Sequence, residues 1–596
     1  MTQLQTSPLS QSSSAPTICY QVAMPRPQSH LFEVMLQVES WQAATLDLNL
    51  PVWTPGSYLV REYARHLQRF SATTPDGQPL AWSKQSKNHW HIATPDVSTI
   101  QVFYQVYANE LTVRTNHLDV SHGYFNGAAL FLYIPQHLEQ PIQIKVVPPY
   151  PSWQVTTPLP AIADAPNTFL AANYDELVDS PFEIGNHQLY SFSVEGKSHE
   201  LAIWGGGNLN PDRLIPDIQK IIQAESQLFG GLPYERYVFL LHLSSQGFGG
   251  LEHRTSCSLN YPRFNFRKTD RYHRFLNLVA HEFFHLWNVK RIRPKALENF
   301  DYNNENYTPS LWFCEGATSY YDTVIPLRAG IYDAQFFLEA MAQSITRFLT
   351  TPGRAVQPLS ESSFDAWIKL YRPSPNSNNS QISYYLKGKL VSFLLDLLIR
   401  ARHQNQRSLD DVMRRLWQAF GQPDVGFTPE QLQATIESVA DTDLQDFLGA
   451  YLHGTDELPF DRYLQPFGLQ VQSSSGDGEK VPYLGLVSKT ENGRHLVQFV
   501  ASGSPAEDGG IDAGDEVLAL NGCRISAEQL PERLQDFNPG EAVQLTVFHG
   551  DRLRTCLVTL SEPKAERYKL VPVAQPSTEQ VRNFQGWLGV SLADIG

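Results

Sequence analysis

Cysteine is scarce. The 596 residues hold five, Cys19, Cys257, Cys314, Cys523 and Cys556, with no C-x-x-C spacing. An odd and scattered set fits a reducing compartment better than a disulfide framework. Long hydrophobic runs are missing too. No stretch of about 18 apolar residues occurs, so no membrane-spanning helix is expected. The opening segment, residues 1–16, is rich in Ser, Gln and Thr. It lacks the basic start and apolar centre of a signal peptide. Positive charge is in deficit: 46 Lys and Arg against 61 Asp and Glu leave a net charge of −15. That argues against nucleic acid and against anionic membrane surfaces as partners. The expectation is a cytoplasmic protein whose residues 1–16 form a disordered tail.

What is present is an ordinary globular composition, 42% hydrophobic and 18% charged. The length suggests about three or four domains. One stretch organises the rest, His281-Glu282-Phe283-Phe284-His285. It reads H-E-x-x-H, and two histidines four apart lie on one face of a helix. Both imidazoles then reach one zinc ion, and the intervening Glu282 can act on a water there. The helix is independently expected. Phe275, Leu278, Val279 and Leu286 recur at near-helical spacing, Asp270 is a candidate N-cap, and no Pro or Gly intervenes before Pro294. The competing reading is two structural histidines on a helix.

A catalytic zinc usually takes three protein ligands. Glu315 lies inside the apolar and aromatic run Leu311-Trp312-Phe313-Cys314-Glu315-Gly316-Ala317. A carboxylate there is costly to bury unless paired or metal-bound, which makes it the candidate third ligand. The alternative is an acid at a helix start, favoured by the dipole.

Along the chain, residues 17–197 alternate with period two, as in Phe32, Val34, Leu36 and Val38, or Ile142, Ile144 and Val146. This predicts an antiparallel β domain with half-buried strands. Its His89, His91, His117 and His122 read as structural or exposed. Residues 198–462 begin with an amphipathic helix and the buried strand Tyr237-Val238-Phe239-Leu240-Leu241. They then reach Gly247-Phe248-Gly249-Gly250-Leu251-Glu252-His253, where glycine lets backbone approach a ligand closely. On spacing alone, a flexible turn with a solvated acid is the stronger reading of Glu252. Beyond Glu315 the chain is helical, and Tyr384-Tyr385-Leu386-Lys387-Gly388-Lys389 opens its most apolar helix. Tyr385 either donates a hydrogen bond to an oxyanion or packs its ring in the core. Residues 463–565 form a small domain of strands, turns and a helix near Leu530, and residues 566–596 read as a polar tail.

The run from His281 to Arg291, with Glu315-Gly316-Ala317-Thr318, resembles the M61 metallopeptidases, the glycyl aminopeptidase family of gluzincins related to the M1 aminopeptidases. Trp53-Thr54-Pro55-Gly56-Ser57-Tyr58 is similar to that family's N-terminal region, and Ser504 to Asn521 resembles a PDZ domain. The resemblance implies a multidomain α+β fold. Its parts are an N-terminal antiparallel β domain, a thermolysin-like zinc catalytic domain continuing into a helical region, and a C-terminal PDZ-like domain. It implies one Zn2+ per chain on His281, His285 and Glu315, with Glu282 as general base. Gly249-Gly250-Leu251-Glu252-His253 looks like the G-x-M-E-N element of the M1 relatives, which assigns Glu252, beside Gly249 and Gly250, to the substrate's α-amino group. Leu251 and His253 depart from that element, so the flanking contacts stay open. Tyr385-Leu386-Lys387-Gly388 looks like Y-x-K-G, whose Tyr stabilises the tetrahedral intermediate. The gap from His285 to Glu315 exceeds the M1 pattern, so the insertion from Arg293 to Pro309 is expected to reshape the site rim.

The implied activity is removal of one N-terminal residue, Gly or Ala by family preference, from peptides with a free N-terminus. Phe248 is the candidate for what narrows the pocket. A peptide C-terminus could add as a strand in the PDZ groove, its carboxylate on the loop Tyr483-Leu484-Gly485-Leu486; a docking or spacer domain is the equal alternative. Two other classes compete for the whole protein: a zinc endopeptidase, and an inactive peptidase-like scaffold that binds peptides through its PDZ segment.

Overall fold

The computed structural model describes residues 15–474 and 481–595. Nearly all of the expected N-terminal tail lies outside the described residues. The chain divides into two compact units. One comprises residues up to 215 with 232–278 and 300–305; the other comprises 216–231, 279–299 and everything from 306. Among the described residues no helix is long and apolar enough to cross a membrane.

The first unit opens with a six-stranded sheet in which Leu31–Glu39 lies between Thr17–Ala23 and Thr99–Tyr107. Period-two alternation governs it. Phe32, Val34, Leu36 and Val38 are wholly buried, whereas Gln143 and Lys145 on Ile142–Val147 are exposed between the buried Ile142, Ile144 and Val146. Its neighbours are antiparallel except Thr17–Ala23 with Ile142–Val147, which run parallel. In a four-stranded sheet, β1 (His122–Phe125) pairs antiparallel with β2 (Phe182–Gly185), placing Gly185 opposite His122 and Glu183 opposite Tyr124.

A five-stranded sheet completes this unit: β3 (Gln188–Val194), β4 (Lys197–Trp204), β5 (Arg236–Ser244), β6 (Gly249–Glu252) and β7 (Ser256–Pro262), in the spatial order β3-β4-β5-β7-β6. Strand β5 is parallel to both neighbours, and Tyr237 to Leu241 are wholly buried. A continuous apolar run is what a strand covered on both faces requires. Strand β6 closes the edge antiparallel to β7, with Glu252 opposite Cys257. Helix α1 (Pro211–Phe229) buries Leu214, Ile218, Ile221, Ile222 and Leu228. Helix α2 (Thr269–Phe284) carries the H-E-x-x-H motif, and Asp270 sits in its first turn rather than at the cap.

In the second unit, helices follow a π-helical segment, Trp312–Ala317. The longest is α3 (Tyr384–Arg402), capped by the Ser383 side chain on the Leu386 amide. The PDZ-like part is an antiparallel sheet of Leu486–Glu491, Arg494–Val500, Glu516–Leu520, Ala542–His549 and Arg552–Thr559, with a short helix Leu530–Leu534. Residues read as a polar tail are structured here. Arg567–Pro572 pairs with Leu469–Ser474, and α4 (Thr578–Leu588) buries Phe584 and Leu588. Trp587 packs its ring 5.3–5.9 Å from Phe337, Phe393 and Phe467. A helix polar on most of its surface needs only this narrow apolar stripe to dock.

Candidate active site

The residues singled out in the sequence fall on both units, and each group has its own geometry. In the second unit, His281 and His285 approach each other with Nε2 atoms 3.0 Å apart. Regular helix ends at Phe284, yet the His285 amide still donates to the His281 carbonyl at 3.3 Å, so the shared face continues. Glu315 Oε2 lies 3.4 Å from His281 Nε2 and 3.2 Å from His285 Nε2. The other ring nitrogens are held from behind. His281 Nδ1 meets Asp322 Oδ2 at 3.1 Å, and His285 Nδ1 meets the Asn288 carbonyl at 2.6 Å. Such partners fix the tautomer that leaves Nε2 free for a metal. Two imidazoles and a carboxylate, His285 and Glu315 buried and His281 partly so, converge within 3.4 Å and fit zinc. Glu282, between the histidines, is buried as well.

The π-helix explains how Glu315 arrives. Its wider turn frees carbonyls from the usual ladder. Asn288 Nδ2 binds the Phe313 carbonyl at 3.0 Å, the Cys314 carbonyl at 3.2 Å and Thr318 Oγ1 at 3.1 Å. Asn288 thereby ties the segment carrying Glu315 to the residues that follow His285. Burial would raise the Glu315 pKa, but His285 and His281 outweigh it and hold it at about 2. Burial disfavours charge on His281, yet Asp322 and Glu315 prevail and raise its pKa.

Tyr385 stands at the start of α3, its ring 6.3 Å from that of His281 and inclined by 28°. The close helix approach depends on glycine. A Cβ on Gly316 would meet the Gly388 Cα at 2.5 Å, and one on Gly388 would meet the Trp312 carbonyl oxygen at 2.5 Å. Gly388 of the Y-x-K-G element is thus a packing residue. Lys387 is also turned away, with Nζ 3.3 Å from the Gly454 carbonyl and its pKa brought down by burial to about 8. The Tyr385 hydroxyl meets Tyr371 OH at 3.0 Å, and Tyr371 OH also meets Tyr384 OH at 3.2 Å. Burial, then the Glu315 charge, push the Tyr385 pKa well above the ordinary phenol value, so it remains a proton donor.

In the first unit, Glu252 is 4% exposed, and its Oε1 has no hydrogen-bond partner. The turn Thr54-Pro55-Gly56 presses on it. A Cβ on Gly56 would meet Glu252 Oε1 at 2.5 Å and Oε2 at 2.7 Å, and Gly56 has φ +84°. Only glycine serves there. The turn is anchored by Trp53, whose Nε1 donates to the Asp301 carbonyl at 2.8 Å, and by the Val52 amide on the Tyr302 carbonyl at 2.8 Å. Part of the insertion expected at the site rim, residues 300–305, is therefore a clamp on this turn. Gly250 is held through its carbonyl by Arg114 Nη2 at 2.9 Å, and Gly249 has φ +145°. His253, where the M1 element has Asn, bonds Asp179 Oδ1 through Nδ1 at 3.2 Å. Phe248 is half exposed, with the Arg274 guanidinium 4.2 Å above its ring. Gly56, not Phe248, touches the carboxylate. Sequence periodicity passed over Gly56 because a turn glycine carries no chemistry until its neighbour is known.

The loop Tyr483-Leu484-Gly485-Leu486 lines a cavity of about 870 Å³ together with Leu530 and Leu534. The Tyr483 amide is engaged by the Ser561 carbonyl at 3.0 Å, and Lys564 Nζ lies 4.2 Å from the Tyr483 ring.

Comparison with known proteins gives three family matches. Residues 19–186 match the Peptidase M61 N-terminal domain, 274–391 match M61 glycyl aminopeptidase, and 482–560 match a PDZ domain. A crystal structure of an aminopeptidase N family protein from Idiomarina loihiensis is 32% identical, covers 96% of this chain and 100% of its own, and superposes with a TM-score of 0.91. An M1 zinc metallopeptidase from Deinococcus radiodurans is 14% identical over 75% of this chain and 96% of its own, with a TM-score of 0.46. No curated protein matches.

Proposed function

The chain belongs to the M61 glycyl aminopeptidase family and is a metallo-aminopeptidase, and from that premise we propose that it removes a small N-terminal residue, Gly or Ala, from peptides. The carrying observation is the convergence of His281 Nε2, His285 Nε2 and Glu315 Oε2 within 3.0–3.4 Å. These three residues would hold one zinc ion. Zinc held there supplies a Lewis acid for the scissile carbonyl and lowers the pKa of a water to about 7. Glu282 accepts that water's proton and returns it to the leaving amine. Tyr385, kept protonated, donates to the oxygen that becomes negative as the carbonyl is attacked. Glu252 pairs with the substrate's ammonium through an oxygen that has no protein partner, while Gly249 and Gly250 let the substrate backbone approach. A charge that an internal peptide lacks then sets the cut one residue from the end. The preference for Gly or Ala rests on the family.

The PDZ-like groove would take a peptide C-terminus, with Tyr483-Leu484-Gly485-Leu486 around the carboxylate. The small, odd and scattered set of five cysteines supports a cytoplasmic location.

Paired peptides test the activity. One begins with free Gly or Ala and its twin is N-acetylated; each is incubated with and without a zinc chelator and read by mass spectrometry. Release of one residue from the free peptide alone, abolished by chelator, is the expected result. Equal cleavage of both peptides would make the protein an endopeptidase and remove Glu252 from its role.

A further inference from the structure

A second set of two histidines and a glutamate lies wholly within the first unit. His122 is on β1, Glu183 on β2 and His242 on β5, so three strands of two sheets each contribute one residue. All three are buried to within 1% exposure. His122 Nε2 lies 2.9 Å from Glu183 Oε1 and 3.0 Å from Oε2, and His242 Nε2 lies 2.8 Å from Oε2. One imidazole nitrogen thus sits almost equally between two carboxylate oxygens. A single N–H can point at only one of them, and Glu183 Oε1 in fact takes no hydrogen bond. His187 Nδ1 and His242 Nδ1 are also buried without partners, and His187 Nδ1 is 3.8 Å from Oε1.

Hydrogen bonds alone leave this cluster incomplete. A carboxylate sealed from water with one oxygen that takes no hydrogen bond, beside imidazole nitrogens that also lack partners, is costly to bury. A divalent cation supplies the missing partner. The two His–Glu spacings, 2.8–3.0 Å, come close to zinc geometry as well: ligand atoms about 2.0–2.1 Å from one zinc at angles of about 90–110° are roughly 2.9–3.4 Å apart. The surroundings resemble those of a ligated histidine. His122 Nδ1 meets His117 Nδ1 at 3.1 Å, His117 Nε2 lies 3.9 Å from Asp119 Oδ2, and Trp204 stacks on the His122 ring at 4.1 Å. With Asp119 drawing the His117 proton to Nε2, His117 Nδ1 accepts from His122 Nδ1–H and leaves His122 Nε2 free to ligate.

We propose that His122, Glu183 and His242 form a second, structural metal site for a divalent transition metal of the zinc class, with His187 as the nearest further donor. Its depth leaves no route for substrate, and its ligands join the β1–β2 sheet to the β3–β7 sheet. The site works as a cross-link.

Metal content of the full-length chain tests this, after loading with Zn2+ and desalting. The expected content is about two zinc per chain in the unmutated protein, about one in His281→Ala/His285→Ala, and about one in Glu183→Gln with peptide hydrolysis retained. If the H-E-x-x-H site held no zinc, the His281→Ala/His285→Ala variant would equal the unmutated protein, while Glu183→Gln would still lose one equivalent. Should Glu183→Gln fail to fold, Co2+ titration of the unmutated chain by visible absorption decides, with saturation at about two equivalents expected. Saturation at one, together with no metal in His281→Ala/His285→Ala, would leave a hydrogen-bonded cluster and overturn the proposal.

Discussion

Two groups of identical composition, two histidines and one glutamate, sit in different parts of this molecule. In His281, His285 and Glu315, the histidines are one helical turn apart, and a π-helix brings the acid. In His122, Glu183 and His242, the members are spread over three strands and 120 positions of sequence. The first group has a carboxylate, Glu282, between its histidines and a phenol, Tyr385, with its ring 6.3 Å from that of His281. The second is enclosed by Trp204, Tyr124 and further histidines. On the two roles proposed, the same donor atoms serve different ends according to what stands next to them. A neighbouring acid and a proton donor make chemistry possible; a shell of rings makes a rivet.

The contrast breaks most decisively by removing one histidine from each group. His285→Ala is expected to abolish hydrolysis, and Glu282→Gln to lower kcat by about 10²–10⁴ with zinc retained. His242→Ala should leave kcat within about twofold and lower the melting temperature instead. Steady-state kinetics and calorimetry on the three variants read this directly, and a comparable loss of kcat in His242→Ala would erase the distinction.

Tyr385→Phe sharpens the functional side. Loss of one oxyanion donor costs about 10²–10³ in kcat. Because burial and Glu315 hold the phenol's pKa above its usual value, the hydroxyl is protonated throughout the working range. The alkaline limb of the kcat profile should therefore fall at the same pH in Tyr385→Phe and in the unmutated enzyme; its disappearance would mean that Tyr385 titrates.

Gly56→Ala probes whether a rigid β turn is part of the functional region. The new Cβ has nowhere to go but into the Glu252 carboxylate. Displacement by about 1 Å costs up to roughly 10² in kcat/KM for free-amine peptides. N-acetylated peptides should stay uncleaved and zinc content unchanged. Unaltered kcat/KM would detach Glu252 from the ammonium.

The smallest effect is structural. Asn288→Ala removes the side-chain donor from the Phe313 carbonyl and one of two from the Cys314 carbonyl, at a cost of about 1–3 kcal/mol. Chemical denaturation should show that loss alongside weaker zinc retention, because Glu315 rides on the same segment.

Much of the first group was legible because a helix repeats every 3.6 residues, so local spacing already determines which side chains share a face. Glu315 stood out for a similar reason: a charge in an apolar run must be paired. Strand alternation likewise exposed the β-rich first unit, and glycine-rich turns exposed the PDZ-like part. The second group left no such trace. His122 read as one of several structural or exposed histidines, and nothing near Glu183 or His242 in sequence hints at the other two. Gly56 acquires its meaning only from Glu252, and Asn288 only from a π-helix that periodicity does not distinguish from an α-helix. Residues 566–596 looked polar because one narrow stripe suffices to dock α4.

The sequence by itself determined the helix that presents His281, Glu282 and His285, the alternating strands and the order of the parts, since backbone hydrogen bonding and side-chain period act over a few residues. Tertiary structure alone decided which carboxylate meets which imidazole across strands, and which glycine stands against Glu252, since those contacts arise from packing between segments far apart in the chain.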